Sequence, residues 1–174
     1  AIIRWPGQVK PGTIENGLFS GLDWLPTLAA AAGNPNITDQ LLKGVQLGDR
    51  TYKNHLDGYN QMDLLTGKGP SKRHELFYFG GANLGAVRLD DFKFTFYQQP
   101  YGWPGEKTTT DMPGMVNIRQ DPFERTPNIR SESPNTGAWG YGNDFFAREF
   151  WRFVQVQQYV GKLALTAIDY PPMQ

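Results

Sequence analysis

From Glu75 to Tyr97 the chain alternates apolar, strand-forming runs with short polar breaks. Glu75–Phe79, Leu84–Leu89 and Phe92–Tyr97 are separated by Gly80-Gly81-Ala82-Asn83 and by Asp90-Asp91. In the third run Phe92, Phe94 and Phe96 alternate with Lys93, Thr95 and Tyr97, the period of two that turns one strand face to a core and the other to water. Breaks of four and two residues built from Gly, Asn and Asp suit hairpin connections. The pattern predicts an antiparallel meander, with Met115–Ile118 as a fourth strand ended by Asp121-Pro122. Near the C-terminus the spacing becomes helical. Phe146, Phe150, Phe153, Val160 and Ala164, with Ala147, Trp151 and Val154 beside them, predict a helix capped by Asn143 or Asp144 and running to about Leu165. Its wide apolar stripe is expected to pack across a sheet face.

The preceding half is more broken. Ile2–Trp5 reads as a strand, and Pro6-Gly7 and Pro11-Gly12 as tight turns. A helix is predicted from about Asp23 to Ala32, with Asp23 accepting from the free amides of the first turn, Pro26 tolerated early and Gly33 as the stop. Asn34–Gly48 is turn-rich, Tyr52–Leu56 suits a short strand, and Gln61–Leu65 suggests one or two helical turns closed by Gly67. Lys68–Arg73 reads as a solvated basic loop. Gln98–Pro113 reads as a long irregular loop carrying Tyr101 and Trp103, and Thr126–Gly142 as surface loop.

Composition narrows the function classes. The chain has 174 residues, enough for one domain with a core. Its 17 basic and 17 acidic residues cancel, so long-range attraction to nucleic acid or an anionic membrane is not expected. It contains no cysteine, which removes disulfides, thiolate metal sites and a cysteine nucleophile from this chain. No apolar run approaches the ~20 residues needed to span a bilayer. The chain opens on a strand pattern without Met or a signal-like segment, as expected of a piece of a longer protein. Its histidines are His55 and His74. His55, before Leu56-Asp57-Gly58, and His74, in a charged connector, both suit structural roles. Asp90-Asp91 and Asp121/Glu124 suit turn and corner chemistry, and neither pair gives the ligand count of a hard cation. There is no nucleophile elbow, phosphate loop or His-Glu-x-x-His motif. The residues of this chain spell no catalytic engine.

Several segments, in order, resemble the C-terminal part of an arylsulfatase of the sulfatase family, in the alkaline-phosphatase-like superfamily. They are Ile2-Ile3-Arg4-Trp5-Pro6-Gly7 with Lys10-Pro11-Gly12; Leu22-Asp23-Trp24-Leu25-Pro26-Thr27-Leu28; and Leu56-Asp57-Gly58 with Asp63-Leu64-Leu65-Thr66-Gly67. Two more follow: Ala86-Val87-Arg88 with Phe92-Lys93-Phe94, and Asn117-Ile118 with Asp121-Pro122 and Glu124.

The resemblance implies an α+β fold. A small antiparallel sheet of about four strands would pack on a long C-terminal helix. Residues 1–50, a strand, turn and helix, would end the α/β catalytic domain, and residues 51–174 would form the C-terminal subdomain. In the family a formylglycine made from Cys or Ser in a C/S-x-P-x-R motif attacks the sulfate, which is held by a divalent cation, usually calcium. This sequence lacks that motif and a metal-binding carboxylate cluster. The resemblance therefore implies no catalytic or metal residue and no cofactor in this chain, with calcium and formylglycine expected in the missing catalytic part. The implied partner is that missing N-terminal catalytic domain, with a sulfate ester bound only by the full-length protein, in the periplasm or outside the cell. Asn83, Tyr101 and Trp103 are the candidate substrate-pocket rim, with His55 a further candidate; Tyr and Trp suit stacking on an aryl or sugar group. Two alternatives remain open. One is a free-standing binding or scaffold module that self-associates through exposed apolar surface. The other is part of a related phosphodiesterase or phosphonate hydrolase.

Overall fold

The computed structural model describes residues 1–99, 102–124 and 141–171. The chain forms two compact units, residues 1–74 with 165–174, and residues 75–164. Its architecture is α+β, with one four-stranded antiparallel sheet and helices at the C-terminal end.

In the first unit a 3-10 turn, Gly21–Asp23, leads into α1 (Trp24–Ala31). α2 (Ile37–Lys43), the hairpin of β1 (Val45–Leu47) and β2 (Arg50–Tyr52), and the short α3 (Met62–Leu65) follow. Polar groups organise its interior. Asp23 is 0% exposed and Arg73 3%. The Arg73 guanidinium donates from Nη2 to Asp23 Oδ1 (2.6 Å) and from Nε to Asp23 Oδ2 (2.9 Å), and also to the Asp57 carbonyl (2.7 Å). The same carboxylate accepts from the backbone amides of Tyr59 (2.7 Å) and Ser20 (2.8 Å). Thr27 continues the lattice, accepting from the Gln61 amide (3.0 Å), and Gln61 in turn bonds Ser71 and the Lys72 amide. Every lone pair of the buried carboxylate thus has a donor, the condition under which a buried ion is tolerated.

Five expectations change here. Asp23 does not cap α1; the cap of the turn is Ser20, in a reciprocal box with Asp23. Arg73 is not a solvated loop residue but the buried partner of Asp23. Ile2–Trp5 is not a strand, because no segment of the described chain offers it a ladder; the following Pro6-Gly7 turn does form, with the Trp5 carbonyl accepting from Gln8 and Val9. The strand expected at Tyr52–Leu56 is instead β2, ending at Tyr52, and the turn-rich Asn34–Gly48 contains α2.

The second unit is the meander. β3 (Glu75–Gly80), β4 (Asn83–Leu89), β5 (Phe92–Gln98) and β6 (Thr108–Asn117) pair in sequence order. Val87 faces Phe94 and Leu89 faces Phe92 across the central pair. Their side chains join Met115 and Val156 in the core, with Phe77, Phe96, Phe146 and Phe153 packed against it. β6 begins within the expected irregular loop. Pro113 is accommodated because β6 is an edge strand and its pairing with β5 shifts between Thr95 and Tyr97, so a missing amide there breaks no regular ladder.

The expected single helix is two, α4 (Tyr141–Glu149) and α5 (Arg152–Asp169). At the break Phe153 and Val154 donate to the carbonyls three residues back. The break seats Arg152 over the rings of Phe92 (3.7 Å) and Trp151 (4.4 Å), while the rings of Phe146, Phe150 and Phe153 cluster at 5.4–5.7 Å. Asn143 and Asp144 fall inside α4 rather than ahead of it. No helix among the described residues is long and apolar enough to cross a membrane.

Candidate functional site

The register decides which loops share an end of the sheet. Gly80 pairs with Asn83, Ala86 with Thr95, and Gln98 with Thr108. The β3–β4 turn and the β5–β6 connection therefore project from the same end. Gly81 takes the positive φ (63°) that lets the four-residue break close.

At that end the Tyr97 ring lies across the backbones of Gly80 and Gly85. A Cβ at Gly80 would collide with the Tyr97 hydroxyl, and one at Gly85 would meet its ring at 2.9 Å, so a side chain at either position would have to displace Tyr97. The Lys107 ammonium sits 3.9 Å from the Tyr97 ring centroid. The turn that follows is pinned from within. Gln99 donates from Nε2 to the carbonyls of Trp103 (2.9 Å) and Gly105 (2.8 Å), and the Gly102 amide donates back to the Gln99 carbonyl (3.0 Å). Trp103, carried on this fixed turn, is 94% exposed. An indole presented to water is an apolar, π-bearing contact surface.

Two of the sequence candidates, Asn83 and Trp103, thus lie at one end of one sheet, and Asn83 is exposed. Tyr101 lies outside the described residues. His55 belongs to the first unit, where its Nδ1 is 3.2 Å from Asp57 Oδ1 and its ring is 5.7 Å from that of Tyr170. Tyr97 and Lys107 were missed by sequence reasoning; the readable signal was Gly80-Gly81 and Gly85 flanking a strand whose neighbour carries an aromatic.

The acidic pairs serve structure. Asp91 accepts from Arg119 Nε (3.0 Å), and Glu124 binds Lys93 Nζ (2.7 Å). Among the described residues no group of three or more His, Cys, Asp or Glu could hold a metal ion. The described residues therefore do not fit calcium, and the sequence, with no cysteine and no C/S-x-P-x-R motif, offers no formylglycine precursor of that pattern. The pKa of the Asp23 carboxyl is displaced downward. Burial, the largest influence, pushes it up, but the hydrogen bond from Arg73, the Tyr59 and Ser20 amides and the Arg73 charge together outweigh it and hold it below the usual carboxylate range.

The chain is 37% identical over 118 residues to arylsulfatase A of Bos taurus, covering 64% of this chain and 19% of that protein. It is 30% identical over 155 residues to the steryl-sulfatase of Homo sapiens, covering 76% and 24% respectively. The chain is a relative of the sulfatases. This sulfatase relative spans about a fifth to a quarter of the length of the curated proteins it matches, and a C-terminal portion fits. Among solved structures, the PsFucS1 sulfatase from Pseudoalteromonas sp. aligns with a TM-score of 0.63 at 20% identity, covering 98% of this chain and 30% of that one, a likeness of fold. No family model matches the chain.

Proposed function

We propose that this chain is the C-terminal portion of an arylsulfatase, a hydrolase of sulfate monoesters, and that it supplies support and part of the substrate-pocket rim rather than the reacting groups. Residues 1–50 would close the α/β catalytic domain, and residues 51–174 would form the C-terminal subdomain. The observation that carries this reading is the coincidence of sulfatase homology along most of the chain with a sequence that has no C/S-x-P-x-R motif and, among its described residues, no metal cluster. The nucleophile and the calcium ligands then belong to upstream sequence, and the whole protein works in the periplasm or outside the cell. Trp103, with Asn83 and Tyr101, would contact the alcohol portion of the ester. The exposed indole on its braced turn supports this role.

The test is hydrolysis of a chromogenic aryl sulfate by the longer polypeptide, produced with its formylglycine formed and calcium bound, and by the 174-residue chain. Turnover by the longer polypeptide alone supports the proposal. A longer polypeptide that hydrolyses a phosphodiester or phosphonate but no sulfate ester would replace it with the related hydrolase reading.

A further inference from the structure

The segment from Gly21 to Ala32 is folded inside out. Its buried positions are Asp23, Pro26 and Thr27. Its exposed positions are Gly21, Leu22, Leu25, Leu28, Ala31 and Ala32, without one polar side chain among them. Leu22, Leu25 and Leu28 stand 56%, 52% and 59% exposed, at the three-residue spacing that lines up one side of a helix. An amphipathic surface helix does the reverse, turning polar residues to water. Here the polar side chains are committed inward, Asp23 to Arg73 and Thr27 to the Gln61 amide and the Tyr59 carbonyl. No rotation of α1 could hide the leucines without stripping the buried lattice of its acceptors.

We infer that the Leu22–Leu25–Leu28 face, formed by the 3-10 turn and α1, is the docking surface for the rest of a longer sulfatase chain, an inference that rests on the reading proposed above. The matched relatives carry roughly three-quarters or more of their length outside the region this chain matches, as the 19% and 24% coverages require, so a large body of protein is available to cover it. A second copy is the weaker occupant on size. Three leucines and two alanines expose a few hundred Å² at most, whereas a specific interface between separate molecules buries about 1,200–2,000 Å². A covalently continuous partner loses no translational freedom on docking, so a patch of this size suffices.

The absence of cysteine makes the test direct. Leu25→Cys places a single thiol of this chain on the face, and Asp49→Cys, on the exposed β1–β2 turn, serves as the reference. Both are alkylated with a maleimide in the isolated 174-residue chain and in the longer polypeptide, with the label located by peptide mass. The expected result is labelling at position 25, relative to position 49, at least about 100-fold slower in the longer polypeptide, and fast at all concentrations in the isolated chain. Equal relative rates in both would overturn the inference. Protection that grows with concentration of the isolated chain would overturn it too, making a second copy the occupant. Labelling is read without activity, so a longer polypeptide that protects position 25 but hydrolyses no sulfate ester would sink the sulfatase reading and leave the docking face standing.

Discussion

Replacing Asp23 with Ala is the sharpest perturbation of the first unit. The carboxylate is fully buried and accepts from Arg73 through both oxygens, at 2.6 and 2.9 Å, and from the amides of Tyr59 and Ser20 at 2.7 and 2.8 Å. Removing it strands a guanidinium that is itself 3% exposed. Breaking one side of a buried ion pair costs about 3–5 kcal/mol, and each orphaned amide on its own about 1–3 kcal/mol. These terms overlap, so the expected loss is about 4 kcal/mol, a large share of the roughly 5–15 kcal/mol that holds a domain together. Hydrogen exchange read by mass spectrometry should show it as lost protection in peptides covering 20–32 and 57–73, with peptides of 84–96 little changed. Asp23→Leu combined with Arg73→Met should recover much of the loss, because two apolar side chains leave no stranded charge. A loss under about 1 kcal/mol, or a double variant as damaged as the two single losses added together, would refute the claim that this pair organises the unit.

The same carboxylate gives a pH signature. Its pKa is lower folded than unfolded, so its contribution is present in full above the ordinary Asp value of about 3.9 and is lost as pH falls from there through the folded pKa. Asp23→Asn should flatten stability against pH in that acid window, which acid titration of chemical denaturation would read. Gly58→Ala should be severely destabilising, by about 3 kcal/mol or more, because the new Cβ would run into the Leu22 carbonyl, a backbone atom with nowhere to go; an unchanged Tm would contradict the packing. Gly80→Ala should cost about 1–3 kcal/mol and be partly rescued by Tyr97→Phe, since the collision is with the hydroxyl; urea denaturation of the single and double variants decides it. Phe94→Ala, at a residue 1% exposed beneath Phe153, should cost about 3–5 kcal/mol in the same assay. In the longer polypeptide Trp103→Ala should raise KM for an aryl sulfate about tenfold with kcat less affected, the mark of lost uniform binding; steady-state kinetics with unchanged kcat/KM would remove Trp103 from the rim.

What the sequence made legible follows the range of the interactions involved. The alternation of Phe92, Phe94 and Phe96 is a local property, and those rings face the core as expected. Asp23 and Arg73 were misread because their roles are set by each other across fifty positions; a carboxylate before a helix has the same local signature whether it caps or pairs. Thr108–Pro113 looked like loop because it lacks an apolar period and contains proline, yet an irregularly paired edge strand requires neither an apolar face nor every amide. The helical spacing around Phe150 was continuous in sequence, and the break at Phe150-Trp151 sits where Arg152 packs on Phe92, a contact across 60 positions that no periodicity encodes. At the candidate site, Asn83 and Trp103 were readable as loop residues flanking the meander. Their placement at one end of the sheet came only with the register, as did the stacking of Tyr97 on two glycines and under Lys107.

The most direct measurement of the central claim is aryl sulfate turnover by the purified 174-residue chain, with and without calcium, alongside its intact mass and beside the longer polypeptide. The account predicts no turnover from the chain at the mass of its 174 residues under either condition, and calcium-dependent turnover from the longer polypeptide. Turnover that co-purifies with the 174-residue chain would contradict it, because the reacting groups would then lie within these residues.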